Sequence, residues 1–232
     1  MATLQPRRPE HLPDYSEMCL QALVEHGLAK HISLGGAFGL LHYLDYRATH
    51  DVDAWWTETA AEADRRQVLH ILEGVLSVAG EVKTRAWGDV ASVELVRAGK
   101  TVFSFQIARR SAQLEPSRLA PWIRVPLDSL VDLVASKMVA LVERGAPRDF
   151  RDIHAVCQAG LLTPPDCWRL WQRRQAAAGG SADVERATLA IQTHLARIAQ
   201  HRRLDHIADS TQQQQAKAVR AWYMGAFLDA VR

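Results

Sequence analysis

Ile32-Ser33-Leu34-Gly35-Gly36-Ala37-Phe38-Gly39-Leu40-Leu41-His42-Tyr43-Leu44, followed past Arg47 by Asp51-Val52-Asp53-Ala54-Trp55-Trp56, is the stretch on which the fold turns. Residues 32–34 read as a short strand entering the Gly35-Gly36 turn, and residues 37–46 as a helix. Residues 51–56 alternate polar and apolar, the period of a half-buried strand. Asp51 and Asp53 stand at i and i+2, so on a strand both carboxylates point to one face.

Outward from this stretch, residues 60–79 read as a helix with Val68, Leu72, Val75 and Ala79 on one stripe and Gly80 behind it. A helix over 14–25 precedes the motif. Past Gly80 the period changes to two: strands over 90–96 and 101–108 flank Arg97-Ala98-Gly99-Lys100, a hairpin pattern. In its second strand Phe103, Phe105 and Ile107 face one way, and Val102, Ser104 and Gln106 the other. Residues 109–126, with Pro116, Pro121 and Pro126, read as loop. From there the chain is helical: 127–143, 149–159, a helix opened by Thr163-Pro164-Pro165-Asp166 with its N-cap and N1 proline, one from Ser181 with the stripe Val184, Thr188, Ile191, Leu195, Ile198, and one over 210–231 with Val219, Trp222, Tyr223, Ala226 and Phe227 on one face. The expected class is α+β: a small mixed sheet with flanking helices over 1–125, then a helical region over 126–232 that completes a cleft.

Composition sets bounds. The chain has 232 residues, 48% hydrophobic and 23% charged, with a net charge of +2, which is ordinary globular composition. Residues 161–232 carry ten Lys/Arg against six Asp/Glu, and this small, dispersed excess reads as a solvated helical surface in preference to a polyanion site. No apolar run is long enough for a membrane span, and the N-terminal residues lack the apolar core of a secretory signal. The three cysteines, Cys19, Cys157 and Cys167, have no paired-ligand spacing and read as reduced thiols of a cytoplasmic protein.

Three features carry chemistry. A glycine pair between strand and helix lets backbone N–H groups approach a phosphate, and the paired carboxylates behind it offer the hard oxygen ligands that Mg²⁺ takes when it also binds phosphates. The plain alternative is an ordinary turn and two solvated acids. Lys137 lies four after Leu133, three after Val134 and four before Leu141, on an apolar stripe, so its ammonium requires an anionic partner or a route to water. In Arg148-Asp149-Phe150-Arg151-Asp152 the two acids share a helix face; N-terminal capping explains Asp149 better than Asp152, and the arginines are available as partners. The ten histidines form no HxH or HExxH pattern, and His42 and His50 read as structural. Of Trp55 and Trp56, one should pack in the core and the other could stack a base.

Residues Leu34-Gly35-Gly36-Ala37 through Leu44, Arg47 and Asp51-Val52-Asp53 resemble the opening motif of the AbiEii/AbiGii-type toxin nucleotidyltransferases. Lys137-Met138-Val139-Ala140-Leu141 and Arg144 through Asp152 resemble their downstream lysine and double-aspartate motif. The resemblance covers roughly residues 30–155, and order and spacing both fit. It implies a nucleotidyltransferase-like core, Mg²⁺ as cofactor, and transfer of a nucleoside monophosphate from an NTP to an acceptor hydroxyl such as a tRNA 3′ end. It further implies a toxin with a cognate antitoxin. Carried onto this chain, it assigns Asp51 and Asp53 to the metal. It gives Gly35, Gly36, Ala37, Arg47 and Asp149 to the NTP, Lys137 to the triphosphate, and Asp152, ahead of Asp149, to the acceptor hydroxyl. Two positions depart from the pattern. Ala37 stands where a hydroxyl residue is common, and Gln106 stands at the best-aligned position for a third carboxylate, with Glu94 as the nearest substitute. These departures keep two alternatives in view: a protein of this fold that binds NTP or RNA with little turnover, and a partner-binding subunit.

Overall fold

The computed structural model describes residues 4–231 and divides into two compact units, one up to Leu133 and one from Val134 onward. The first holds a seven-stranded mixed sheet. Its elements are α1 (Ser16–Glu25), β1 (Ile32–Leu34), α2 (Gly36–Leu41), β2 (Asp51–Trp56), α3 (Glu62–Ser77), β3 (Glu81–Trp87), β4 (Val90–Arg97), β5 (Lys100–Arg109), β6 (Arg118–Leu119) and β7 (Pro126–Leu127), in the sheet order β3-β4-β5-β2-β1-β7-β6.

One face of the sheet is the core. Val52, Ala54 and Trp56 of β2, Phe103, Phe105 and Ile107 of β5, and Ala91, Val93 and Leu95 of β4 are all buried. They meet in register: Val52 lies beside Phe105, and Phe105 beside Val93. Helix α3 covers this face with Val68, Leu72 and Leu76, spaced by four and fully buried, and α1 packs on α3. Asp64 caps α3 by accepting the Ala61 N–H at 2.9 Å. The hairpin and both short strands lie where the period predicts.

Several local readings are corrected. Residues 81–87 form an additional strand, β3, paired with β4 along its whole length. Six of its seven residues are exposed, so no buried alternation announces it. Helix α2 stops at Leu41 and does not run to Tyr46, because the His42 carbonyl accepts the Arg7 N–H at 2.8 Å and the Tyr43 hydroxyl is drawn to the Asp128 carbonyl at 3.1 Å. The stretch 109–126 contains β6 and the start of β7. The next helix, α4 (Leu130–Glu143), therefore starts three residues late: Pro126-Leu127 are still strand, the Asp128 N–H donates to the Leu34 carbonyl at 3.0 Å, and Ser129 and Asp132 form the cap.

The second unit continues α4 and adds α5 (Pro147–Gln158), α6 (Pro164–Ala177), α7 (Val184–His201) and α8 (Ser210–Trp222). Helix α7 opens at the Asp183 cap and not at Ser181. Helix α8 widens into a π-helical turn over Tyr223–Phe227, which buries both end aromatics. The Tyr223 hydroxyl donates to the Phe150 carbonyl at 2.9 Å, and the Trp168 indole donates to the Phe227 carbonyl at 3.2 Å. The sulfur atoms of Cys157 and Cys167 lie 3.7 Å apart, a juxtaposition their sequence spacing does not reveal. No helix among the described residues is long and apolar enough to cross a membrane.

His42 is structural, as its setting predicts. It is fully buried, its Nδ1 lies 3.0 Å from the Phe38 carbonyl, and its Nε2 accepts the Trp122 indole N–H at 3.1 Å. Burial lowers its pKa from 6.5 to about 4. The folded ring thus stays neutral where the unfolded chain would already take a proton. Its contribution is complete above pH 6.5 and is lost as pH falls toward 4, about 3 kcal/mol in all. Urea unfolding across that window should show a shallower loss of stability in His42→Gln than in the wild type.

Candidate active site

The face of the sheet opposite the core is polar. Along β2, Val52, Ala54 and Trp56 turn inward, so Asp51, Asp53 and Trp55, each half-buried, turn to this face. The β2–β5 pairing sets Asp51 beside Ser104 and Asp53 beside Gln106. The Ser104 hydroxyl donates to Asp51 Oδ1 at 3.0 Å, and Gln106 Nε2 donates to the Ser104 hydroxyl at 3.3 Å. Ser104 thus steadies Asp51, and the pattern of the second hairpin strand already put it on the correct face.

The two glycines are required by what they approach. Gly36 has φ +57°, and a Cβ there would come within 2.0 Å of Asp53 Oδ2. A Cβ on Gly35 would meet the Trp55 indole at 2.3 Å. The Gly35 N–H donates to the Asp53 carbonyl at 2.8 Å. The turn is therefore stitched to β2 beside the carboxylate it faces. Ala37 is buried behind it, and Arg47 lies over the Tyr46 ring with Nη1 donating to the Ala48 carbonyl at 3.2 Å.

Asp51 and Asp53 provide hard oxygen donors on one side of one strand, which suits a divalent cation that keeps open positions for water and phosphate oxygens. Gln106, the register partner of Asp53, offers only a neutral carbonyl. Glu94 shares the row Asp51–Ser104–Glu94, two strand spacings or about 10 Å from Asp51 in backbone terms. It accepts from Ser92 at 3.3 Å and from Thr101 at 3.4 Å. Among the described residues, one group of three potential metal ligands converges elsewhere, Glu10, His11 and Asp45 on the surface.

In the second unit, Lys137 is buried on the apolar stripe of α4, as its spacing predicts, and its Nζ lies 2.6 Å from Asp152 Oδ2 on α5. Asp152 has no exposed surface. Asp149, also fully buried, accepts two bonds from Arg144, each 2.8 Å, and caps Ala146 N–H at 3.2 Å. Arg144 was not singled out as its partner by sequence pattern; only the α4–α5 turn brings it there. Cys19 and Tyr43 are pushed up to about 12 by burial and so stay protonated at neutral pH.

The nucleotidyl transferase AbiEii toxin family, described as part of type IV toxin–antitoxin systems, has a family model that matches residues 19–225. No match is found among curated proteins. Among solved structures, JHP933 from Helicobacter pylori superposes with a TM-score of 0.51 at 14% identity, covering 92% of this chain and 91% of that one. A nucleotidyltransferase-like antigen from Paracoccidioides brasiliensis gives 0.41 at 15% identity, covering 91% of this chain and 95% of its own. The antibiotic-resistance factor ANT(2'')-Ia gives 0.40 at 12%, covering 79% and 91%. The first of these likenesses shows a shared fold over about nine-tenths of both chains.

Two outcomes follow from the packing. Gly36→Ala should cost about 2 kcal/mol or more, through backbone strain and the collision with Asp53, read as a lowered urea midpoint. Lys137→Met should destabilise the second unit by about 3–5 kcal/mol by stripping the ammonium from a buried carboxylate, and Lys137→Met/Asp152→Leu should recover part of that loss.

Proposed function

The chain belongs to the AbiEii nucleotidyl transferase toxin family, and from that premise we propose that it moves a nucleoside monophosphate from an NTP to an RNA hydroxyl, such as a tRNA 3′ end, as a toxin held in check by a cognate antitoxin. The observation that carries this reading is the pair Asp51 and Asp53 on one strand face, with Asp53 against the Gly36 turn. Asp51 and Asp53 would hold Mg²⁺, which when bound supplies positive charge against the phosphates and the departing pyrophosphate.

The chain's own residues do the remaining work. Gly35 and Gly36, bare of side chain, would let phosphate oxygens approach the turn, the Gly35 N–H itself being held by the Asp53 carbonyl, with Ala37 offering its N–H and Arg47 a guanidinium. Ser104 keeps Asp51 oriented through its 3.0 Å hydrogen bond. In the second unit, Lys137 offers a buried ammonium as the candidate partner for phosphate oxygens. Asp152 aims that ammonium and is the second unit's candidate carboxylate for orienting or deprotonating the acceptor hydroxyl; Asp149, committed to Arg144 and the helix cap, positions the turn. The acceptor oxygen bonds to the α-phosphorus, the bond to the bridging oxygen breaks, and pyrophosphate leaves with its electrons.

One observation favours a second reading, binding with little turnover: Gln106 stands beside Asp53 where a carboxylate would add metal affinity. Incubation with labelled NTPs, Mg²⁺ and total tRNA separates the two. Wild-type protein should label RNA, and Asp51→Ala/Asp53→Ala should lose roughly a thousandfold or more of that rate, since a bound metal contributes several kcal/mol to such transfers. NTP binding without RNA labelling would place the protein in the second class. Induced expression should arrest growth, and the same double substitution should relieve it.

A further inference from the structure

The polar face that carries Asp51 and Asp53 does not end at them. Strand pairing extends it across four strands in three rows: Asp51–Ser104–Glu94–Lys83, Asp53–Gln106–Ser92–Arg85, and Trp55–Ala108–Val90–Trp87. The rows end on β3, the sheet's edge strand, where Lys83, Arg85 and Trp87 stand at alternate positions and so share the face of the carboxylates. All three are exposed, and Trp87 leaves 56% of its surface open.

We propose that Lys83, Arg85 and Trp87 form the binding track for a single-stranded polynucleotide whose terminal hydroxyl is delivered to Asp51 and Asp53. This rests on the nucleotidyltransferase reading above and deepens it by assigning the acceptor's path. Arg85 lies three strand spacings, about 14 Å in backbone terms, from Asp53 in the same row. A strand laid along the rows would reach the carboxylates within a few nucleotides.

The chemistry of the three side chains fits single-stranded nucleic acid. An open indole stacks any base, and two cations beside it take the phosphates. Their acidic neighbours hold them loosely: Lys83 lies 3.4 Å from the exposed Glu81, and Arg85, itself exposed, 3.9 Å from the half-buried Glu94, separations at which phosphate can compete. Basic residues on an edge strand are also a common guard against strand-to-strand aggregation. That role accounts for Lys83 and Arg85 but not for Trp87, whose exposed ring works against it.

Fluorescence anisotropy with a short labelled single-stranded RNA tests the track, with NTP binding measured in parallel. Trp87→Ala should weaken RNA binding roughly tenfold, while Trp87→Phe, which keeps an aromatic face, should stay near wild type. Lys83→Gln/Arg85→Gln should flatten the log–log dependence of RNA affinity on salt by about 1.4. NTP affinity should be unchanged in every variant. RNA affinity and salt slope indifferent to all these substitutions would overturn the proposal. So would variants that alter only self-association, which would mark β3 as a protein-pairing edge. If RNA is labelled by the wild type but its binding ignores β3, the track falls and the transferase reading stands. If β3 variants lose RNA while no transfer is ever seen, the track stands and the transferase reading falls.

Discussion

The close approach of Gly36 to the Asp53 carboxylate is the constraint on which the candidate site depends. Any side chain at that glycine would occupy the volume of the carboxylate oxygen. The turn can lie against β2 only because nothing projects from it, and the Gly35 N–H bond to the Asp53 carbonyl fixes the approach. Backbone donors and a paired carboxylate are brought to one spot by the absence of atoms as much as by their presence.

The parallel pairing of β2 with β5 turns that local arrangement into an extended surface. Because partners in register face the same way, the apolar residues of β2, β4 and β5 fall together on the α3 side. The polar ones are left on the other side by elimination. The pairing that closes the core is thus the same one that aligns Asp51 with Ser104 and Asp53 with Gln106, and a slip of one residue would exchange the two faces.

In the second unit, two buried carboxylates are each met by a cation, the buried Lys137 and the half-exposed Arg144. Lys137 with Asp152 and Arg144 with Asp149 join α4 to α5 across a short turn. Removing Lys137 and Asp152 from water is costly, and that pair offsets the cost only while both partners are present. Both pairs tie the α4 side of the turn to α5.

How much of this was legible follows from the range of each interaction. β1, β2, the hairpin and the burial of Lys137 are encoded by residue periodicity, because a pattern of two or of three to four reports directly which face is buried. So is the doublet Asp51 and Asp53. Strand β3 is not, since an edge strand with solvent on it carries no burial pattern; its identity comes from β4 beside it. The early end of α2, the late start of α4 and the grip of Arg144 on Asp149 likewise depend on groups distant along the chain or set by a turn. The sequence by itself therefore determined which residues are candidates for chemistry and which faces they take. The tertiary structure alone decided what stands next to them, because register and long-range hydrogen bonds join segments whose separation no local pattern records.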